Sequence, residues 1–184
     1  MNISTKLFTA KPDCTNRLPV EEAVYDLLDS IGVAYTGCDH DHADTIELCL
    51  SVEDVLKTGI CKNLFLCNTQ HTAFHLLLMP GDKKFKTKDF SKQIGSSRLS
   101  FADEEHMKEV LGLTPGSVSV FGLINDTEHR VSLSIDHDLL QDAYIGFHPC
   151  INTSTLKVKT EDILNKFLPH LHIVPTIVDL PRYE

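Results

Sequence analysis

Residues 58–67, Thr-Gly-Ile-Cys-Lys-Asn-Leu-Phe-Leu-Cys, read as a strand that is apolar on both faces. Ile60, Leu64 and Leu66 alternate with Cys61, Phe65 and Cys67. Such a strand needs cover on both sides, so the chain must build a sheet inside its core. In the middle of the strand stand Lys62 and Asn63, two residue types poorly suited to that setting. Period two puts Lys62 on the face of Ile60, Leu64 and Leu66. A lysine there either carries its ammonium out to a wet rim or serves a purpose that outweighs its desolvation. The strand alone leaves both readings open.

The surrounding pattern predicts one domain over 1–184, long enough to bury a core. Residues 1–17 lack periodicity and are expected to form a loosely held lead-in. Val20, Ala23, Val24, Leu27, Leu28 and Ile31 keep helical spacing up to Gly32. Ser51-Val52-Glu53-Asp54 has the form of a capping box opening a short helix. A hairpin turn at Asn68-Thr69-Gln70 leads to a second apolar strand, His71 to Met79. Helices are expected near Thr87 to Ile94, over Asp103 to Leu111 and from Thr160 through Leu168. Further strands are expected at 33–38, 98–101, 117–120, 130–135, 144–147, 155–158 and 173–178. Short strands interspersed with helices, mostly in hairpin order, predict an α+β fold. Its sheet should be mixed and largely antiparallel, or a partial barrel, with helices around it.

No run of residues approaches a membrane span, and the first twelve lack the apolar centre of a signal peptide. The expected location is the cytoplasm. Cysteines 14, 38, 49, 61, 67 and 150 form no Cys-x-x-Cys motif, which argues against a zinc ribbon or a thioredoxin-type site. A formal charge of −9 excludes a generic nucleic-acid coat. The charge is uneven, however. Residues 83–98 hold Lys83, Lys84, Lys86, Lys88, Lys92 and Arg98, six of seventeen basic residues, against Asp89 alone. Such a segment suits a polyanion gripped at one place, or is a solvated surface.

His40-x-His42-x-Asp44 matches the opening of the metallo-β-lactamase zinc signature, but Thr45 stands where a further His belongs. The expectation is an acidic, His-rich loop and no metal. No P-loop, dinucleotide fingerprint or Gly-x-Ser-x-Gly elbow is present. Ile145-Gly146-Phe147-His148-Pro149 is more informative. Proline ends the strand and leaves His148 at its tip, where ligand-facing groups project. Together with Lys62 and Asn63 it makes a candidate site.

Five segments then occur in order: Lys62-Asn63-Leu64-Phe65-Leu66, Arg98-Leu99-Ser100-Phe101-Ala102, Leu111-Gly112-Leu113-Thr114-Pro115-Gly116-Ser117-Val118, Asn125-Asp126, and Phe147-His148-Pro149 with Asn152-Thr153. In these the chain resembles the free-standing prolyl-tRNA editing domains of the YbaK/ProX type, most closely the Ala-tRNA(Pro) deacylase branch. The resemblance runs from about Val20 to Leu180. It implies an α+β editing fold, no cofactor, and hydrolysis of the ester joining a mischarged amino acid to the terminal adenosine of tRNA. It also implies the acceptor end of mischarged tRNA as partner, prolyl-tRNA synthetase as a possible one, and a homodimer in many members.

By the same resemblance Lys62 holds the terminal phosphate and ribose, while Asn63 and His148 orient the acceptor end and the attacking water. Gly116, Ser117, Val118, Ser119 and Val120 bound the amino-acid pocket, with Gly146 beside it. Lys83, Lys84 and Lys86 would meet the tRNA backbone as a sequence-indifferent contact. Two positions depart from the family pattern. Val120 stands where the loop often carries Pro, and Ile60 where relatives often carry His. The rival reading is a non-catalytic tRNA-end or synthetase-associated binding module on the same fold.

Overall fold

Helix α1 (Pro19–Ser30) begins with proline at its first turn and Glu21 and Glu22 beside the positive end of the helix dipole. It buries Val24, Tyr25 and Leu28 against the sheets that follow. The computed structural model describes residues 3–42 and 46–183, the side chains of 46–48 excepted.

Two sheets share the core. One is antiparallel, in the order β1 (Tyr35–Asp39), β7 (Ser154–Lys159), β6 (Tyr144–Phe147). The other has five strands, in the order β4 (Leu99–Phe101), β2 (Lys62–Asn68), β3 (Phe74–Met79), β5 (Val131–Asp136), β8 (Thr176–Val178). Its β4, β2 and β3 pair antiparallel, whereas β3–β5 and β5–β8 are parallel. The sheet is therefore mixed, and no closed barrel forms.

The two-faced apolar pattern of β2 has its physical counterpart here. Cys61, Phe65 and Cys67 enter the main core with Phe74, Phe121 and Phe147. Leu66, with Leu64 half-buried beside it, packs on the opposite face with Leu77, Met79, Phe90 and Leu99. Phe90 comes from helix α3 (Thr87–Gln93), which covers that second face.

The two sheets meet at a single parallel bridge between Ile60 and Gly146. The Gly146 N–H donates to the Gly59 carbonyl at 2.8 Å, and the Cys61 N–H donates to the Gly146 carbonyl at 3.1 Å. A Cβ at 146 would lie 3.1 Å from that Gly59 oxygen and 3.3 Å from the Ile60 Cα. Glycine lets the two backbones close to this distance.

Several elements differ from the sequence pattern. The lead-in touches the first sheet from residue 3 onward: the Ser4 and Phe8 N–H groups donate to the Asp39 and Gly37 carbonyls. The Phe8 ring lies where a Cβ on Gly37 would stand, a close approach that only glycine permits. Helix α2 (Ile46–Leu56) begins before Ser51, so that residue lies within the helix and does not cap it. Residues 117–119 form no strand. They lead into a 3-10 helix, Val120–Asn125, capped by the Ser119 hydroxyl, which accepts from the Phe121 N–H. The last helix, over 160–170, winds Ile163–Phe167 as a π turn. Helix α4 (Glu104–Leu111) follows its signals closely, from an Asp103 cap to a left-handed Gly112.

Lys83 corrects a stronger expectation. It was a candidate tRNA contact, but it is 2% exposed. Its Nζ lies 3.0 Å from Asp136 Oδ1 and 3.2 Å from Asp138 Oδ2. Asp136 Oδ2 is as near, at 2.9 Å, but off the hydrogen-bonding direction. Asp136 is fully buried at the end of β5. An ammonium so enclosed is shielded from any polyanion, and its partner cannot be left alone.

Lys83→Met, which strands the buried Asp136 carboxylate, is expected to lower the unfolding free energy by about 3–5 kcal/mol. Adding Asp136→Asn should recover most of that loss, since neither charge is then buried. Urea unfolding of both variants measures this. A loss below about 1 kcal/mol for Lys83→Met would contradict the pairing.

Candidate active site

Two residues beyond the Ile60–Gly146 bridge, one on each bridged segment, stand Lys62 and His148. Both line one cavity of about 690 Å³, as do Asn63, Gly116 and Val118. That volume falls within the roughly 300–1,000 Å³ common for small-molecule sites. Beyond the bridge residues 59–61, the wall comes from α2 (Cys49, Leu50, Glu53), from the turn after β3 (Pro80, Gly81, Asp82), and from Leu139 and Asp142. Sequence reasoning missed these residues. None carries a motif, and they converge only because distant elements fold around the bridge.

Lys62 is half-buried on the face it shares with Leu64 and Leu66. Its Nζ donates to the Lys83 carbonyl at 2.8 Å. The acceptor lies in the turn that the Lys83–Asp136 pair pins to the sheet. The ammonium thus reaches the cavity edge with one proton held by a neutral oxygen. Its two other N–H bonds have no partner among the described residues, and no carboxylate among them forms an ion pair with it.

Asn63 points to the other face of β2. Its Oδ1 accepts from the Val120 N–H at 3.1 Å, while its Nδ2 donates to the Cys61 carbonyl and sulfur, each at 3.3 Å. The Val120 donor sets which end of the amide is oxygen. Asn63 therefore ties the 116–120 loop to the Lys62 strand, and both ends of its amide are engaged by protein.

Within that loop the residues divide by direction. Gly116 (φ 84°) and half-buried Val118 line the cavity. Ser117 turns inward, its hydroxyl donating to the Thr114 carbonyl at 2.7 Å. Ser119 caps the 3-10 helix, and Val120 is buried in the core. Gly146 is likewise structural, forming the bridge between the sheets rather than the cavity wall. Ser117, Ser119, Val120 and Gly146 thus shape the pocket from behind, where they were expected to face the substrate.

His148 donates Nδ1–H to the Ser154 carbonyl at 2.9 Å. A carbonyl oxygen can only accept, so the proton sits on Nδ1 and Nε2 carries a bare lone pair. Nε2 has no hydrogen bond among the described residues. Burial lowers the His148 pKa below the usual imidazole range, against the Ser154 carbonyl, which favours protonation; nearby His40 lowers it further. The ring is accordingly neutral near pH 7 and able to accept a hydrogen bond from water.

The basic segment retains Lys84, Lys86, Lys88 and Lys92 on the surface. Lys86 Nζ lies 3.4 Å above the Tyr183 ring. The segment starts directly after the cavity-lining turn 80–82. The lining thus sets one ammonium, Lys62, among three carboxylates, Glu53, Asp82 and Asp142. Glu53 holds the helix-to-strand junction, accepting from the Ile60 N–H at 2.8 Å.

The metal motif considered for residues 40–44 does not assemble from its described part. Both ring nitrogens of His40 are within hydrogen-bond distance of protein oxygens, Nδ1 of the Asp41 carbonyl at 2.7 Å and Nε2 of Thr155 Oγ1 at 2.8 Å. His42 Nδ1 lies 2.7 Å from Asn152 Oδ1. Asp44 falls outside the described residues. A separate compact group, His71, Asp103 and His106, sits at the far end of the β2–β3 hairpin. Its two imidazoles stack at 4.4 Å and 21°, and His106 Nδ1 lies 2.7 Å from Asp103 Oδ1.

The model of the aminoacyl-tRNA editing domain family matches residues 40–166. The prolyl-tRNA editing protein ProX of Acetoanaerobium sticklandii is 33% identical over 146 residues, spanning 79% of this chain and 89% of that protein. Prolyl-tRNA synthetase associated domain-containing protein 1 of Danio rerio is 26% identical over 155 residues, 83% of each chain. A solved structure described as a candidate trans-editing enzyme for prolyl tRNA synthetase superposes with a TM-score of 0.66 at 16% identity. It covers 90% of this chain and 99% of its own, a likeness of fold. With the matched segment running from His40 on the first sheet, through β2 and its Lys62, to the helix that closes the core, this chain belongs to the aminoacyl-tRNA editing domain family.

Proposed function

We propose that the chain is an aminoacyl-tRNA deacylase that hydrolyses Ala-tRNA(Pro) in trans in the cytoplasm, acting as one editing unit. The observation that carries this reading is the convergence of Lys62 and His148 on one cavity lined also by Gly116 and Val118. The lining suits the end of an aminoacyl-tRNA, which bears phosphate, an α-ammonium and a small side chain. Lys62 takes the phosphate, and the carboxylates around it favour the ammonium. Val118 and Leu139 offer apolar contact to the side chain.

In the reaction, water attacks the ester carbonyl carbon and the bond to the ribose oxygen breaks. The leaving ribose oxygen receives a proton, and free amino acid and tRNA separate. His148 Nε2 orients the water by accepting one of its hydrogen bonds, with the substrate's neighbouring ribose hydroxyl assisting. Because the ester is already activated, positioned water and charge stabilisation are sufficient and no protein nucleophile is required. Asn63 acts through the loop it tethers, so its part is to hold the pocket's shape.

Size sets the selectivity. A synthetase site built for proline cannot strongly reject smaller alanine, since each methylene is worth only about 1–3 kcal/mol. A second pocket that admits alanine and excludes proline completes the discrimination. Single-turnover assays should show Ala-tRNA(Pro) cleaved and Pro-tRNA(Pro) spared. Faster hydrolysis of Cys- or Ser-charged tRNA would contradict the alanine assignment. Tight binding of the charged tRNA with no turnover would point instead to a binding module.

The exposed lysines beyond the turn are proposed to meet the tRNA backbone, now without Lys83. Lys84→Ala/Lys86→Ala/Lys88→Ala should weaken tRNA binding and reduce the slope of log K against log salt by roughly one to two, since fewer counterions are released. An unchanged slope would return the segment to the role of solvated surface.

A further inference from the structure

His40 attracted attention as a metal ligand, yet it belongs to a different assembly. Its ring lies 6.0 Å from that of His148, centroid to centroid. Between them stands the hydroxyl of Thr155, 2.8 Å from His40 Nε2 and 3.3 Å from His148 Nδ1. Thr155 is fully buried and His40 is 7% exposed.

Two carbonyl groups set the direction of every proton in this group. The Asp41 carbonyl lies 2.7 Å from His40 Nδ1, so that nitrogen donates and a neutral His40 keeps Nε2 as an acceptor. The Thr155 hydroxyl must then give its hydrogen to His40 Nε2. Its lone pairs are left toward His148, whose Nδ1–H is already directed that way by the Ser154 carbonyl. With both rings neutral, the chain runs from His148 Nδ1–H to Thr155 Oγ1–H to His40 Nε2.

We propose that Thr155 and His40 are positioning residues for His148, holding its ring in one orientation while the Ser154 carbonyl keeps the proton on Nδ1. The proposal rests on the deacylase reading of that cavity. Neither residue touches the reacting atoms; they act through the imidazole that does. The arrangement also accounts for why a buried hydroxyl and a buried imidazole are tolerated here, since each is fully partnered only in this pattern. His40 is itself held by the first sheet, through a bridge to Ile3 and an N–H bond to the Thr153 carbonyl at 3.0 Å.

The test compares Thr155→Val, which keeps the shape and removes the hydroxyl, with Thr155→Ser, which keeps the hydroxyl. Long-range proton–nitrogen NMR of the wild-type protein should show His148 with Nδ1 protonated and Nε2 bare. In Thr155→Val the two nitrogen resonances should shift and broaden as the ring, still protonated on Nδ1 against the Ser154 carbonyl, loses its single orientation, and Thr155→Ser should restore them. In parallel, kcat on Ala-tRNA(Pro) should fall roughly ten- to a hundredfold in Thr155→Val, with KM little changed and Thr155→Ser close to wild type.

His40→Phe, which keeps a ring and removes both nitrogens, should reproduce the spectral change and carries the test if Thr155→Val does not fold. A wild-type His148 protonated on Nε2, or an unchanged spectrum and kcat in Thr155→Val, would overturn the proposal. A loss of kcat that tracks melting temperature and that serine does not rescue would overturn it in favour of a purely structural role. The expected spectra in a protein that cleaves no charged tRNA would uphold the positioning and refute the deacylase reading instead.

Discussion

Two backbone hydrogen bonds at Gly146, one to Gly59 and one from Cys61, are the constraint on which the cavity depends. They are the point where an antiparallel three-stranded sheet is sewn to a mixed five-stranded one. From there one segment continues to Lys62 and the other to His148, so a cation and a neutral imidazole enter one space from the two sheets. A side chain at 146 would force the backbones apart, and the two groups with them. The glycine of the Gly-Phe-His-Pro run is thus a geometric requirement of the site, although it makes no part of the cavity wall.

Around that junction, buried polar pairs hold what the chemistry needs. The Lys83–Asp136 pair fixes the turn whose carbonyl receives the Lys62 ammonium. Asn63 ties the loop carrying Gly116 and Val118 to β2 through the Val120 N–H. On the opposite wall Ser154 and Thr155 orient His148. Each device is a buried or half-buried polar group that is partnered within the protein. Their combined effect is a site whose geometry is set before a ligand arrives, which is how electrostatic positioning gains its catalytic value.

Much of this was legible in the sequence. The apolar alternation of 60–67 and 131–135, the helical spacing of 20–31 and the caps at Asp103 and Gly112 are local signals, and local elements followed. Lys62 stood out because it breaks the pattern of its strand, and His148 because Pro149 leaves it at a strand tip. What sequence could not resolve was the direction of neighbouring side chains across a chain of loops. Residues 116–120 look uniform as a string, yet Gly116 and Val118 face the cavity while Ser117, Ser119 and Val120 face the protein. Lys83 looked like its neighbours Lys84 and Lys86, and only the distant Asp136, fifty-three residues on, makes it a core residue. His40 resembled a metal ligand because local spacing cannot reveal that its partner is Thr155.

The central claim is that Lys62 is on its strand for the substrate and not for the fold. Thermal unfolding and single-turnover deacylation of Lys62→Ala test it together. Removing an ammonium whose only hydrogen-bond partner among the described residues is the neutral Lys83 carbonyl leaves no buried charge alone, so the melting temperature should stay near that of wild type. Deacylation should fall on the order of a hundredfold or more, as the tRNA end loses its electrostatic anchor. A lowered melting temperature with near-wild-type turnover of the folded protein would contradict the account.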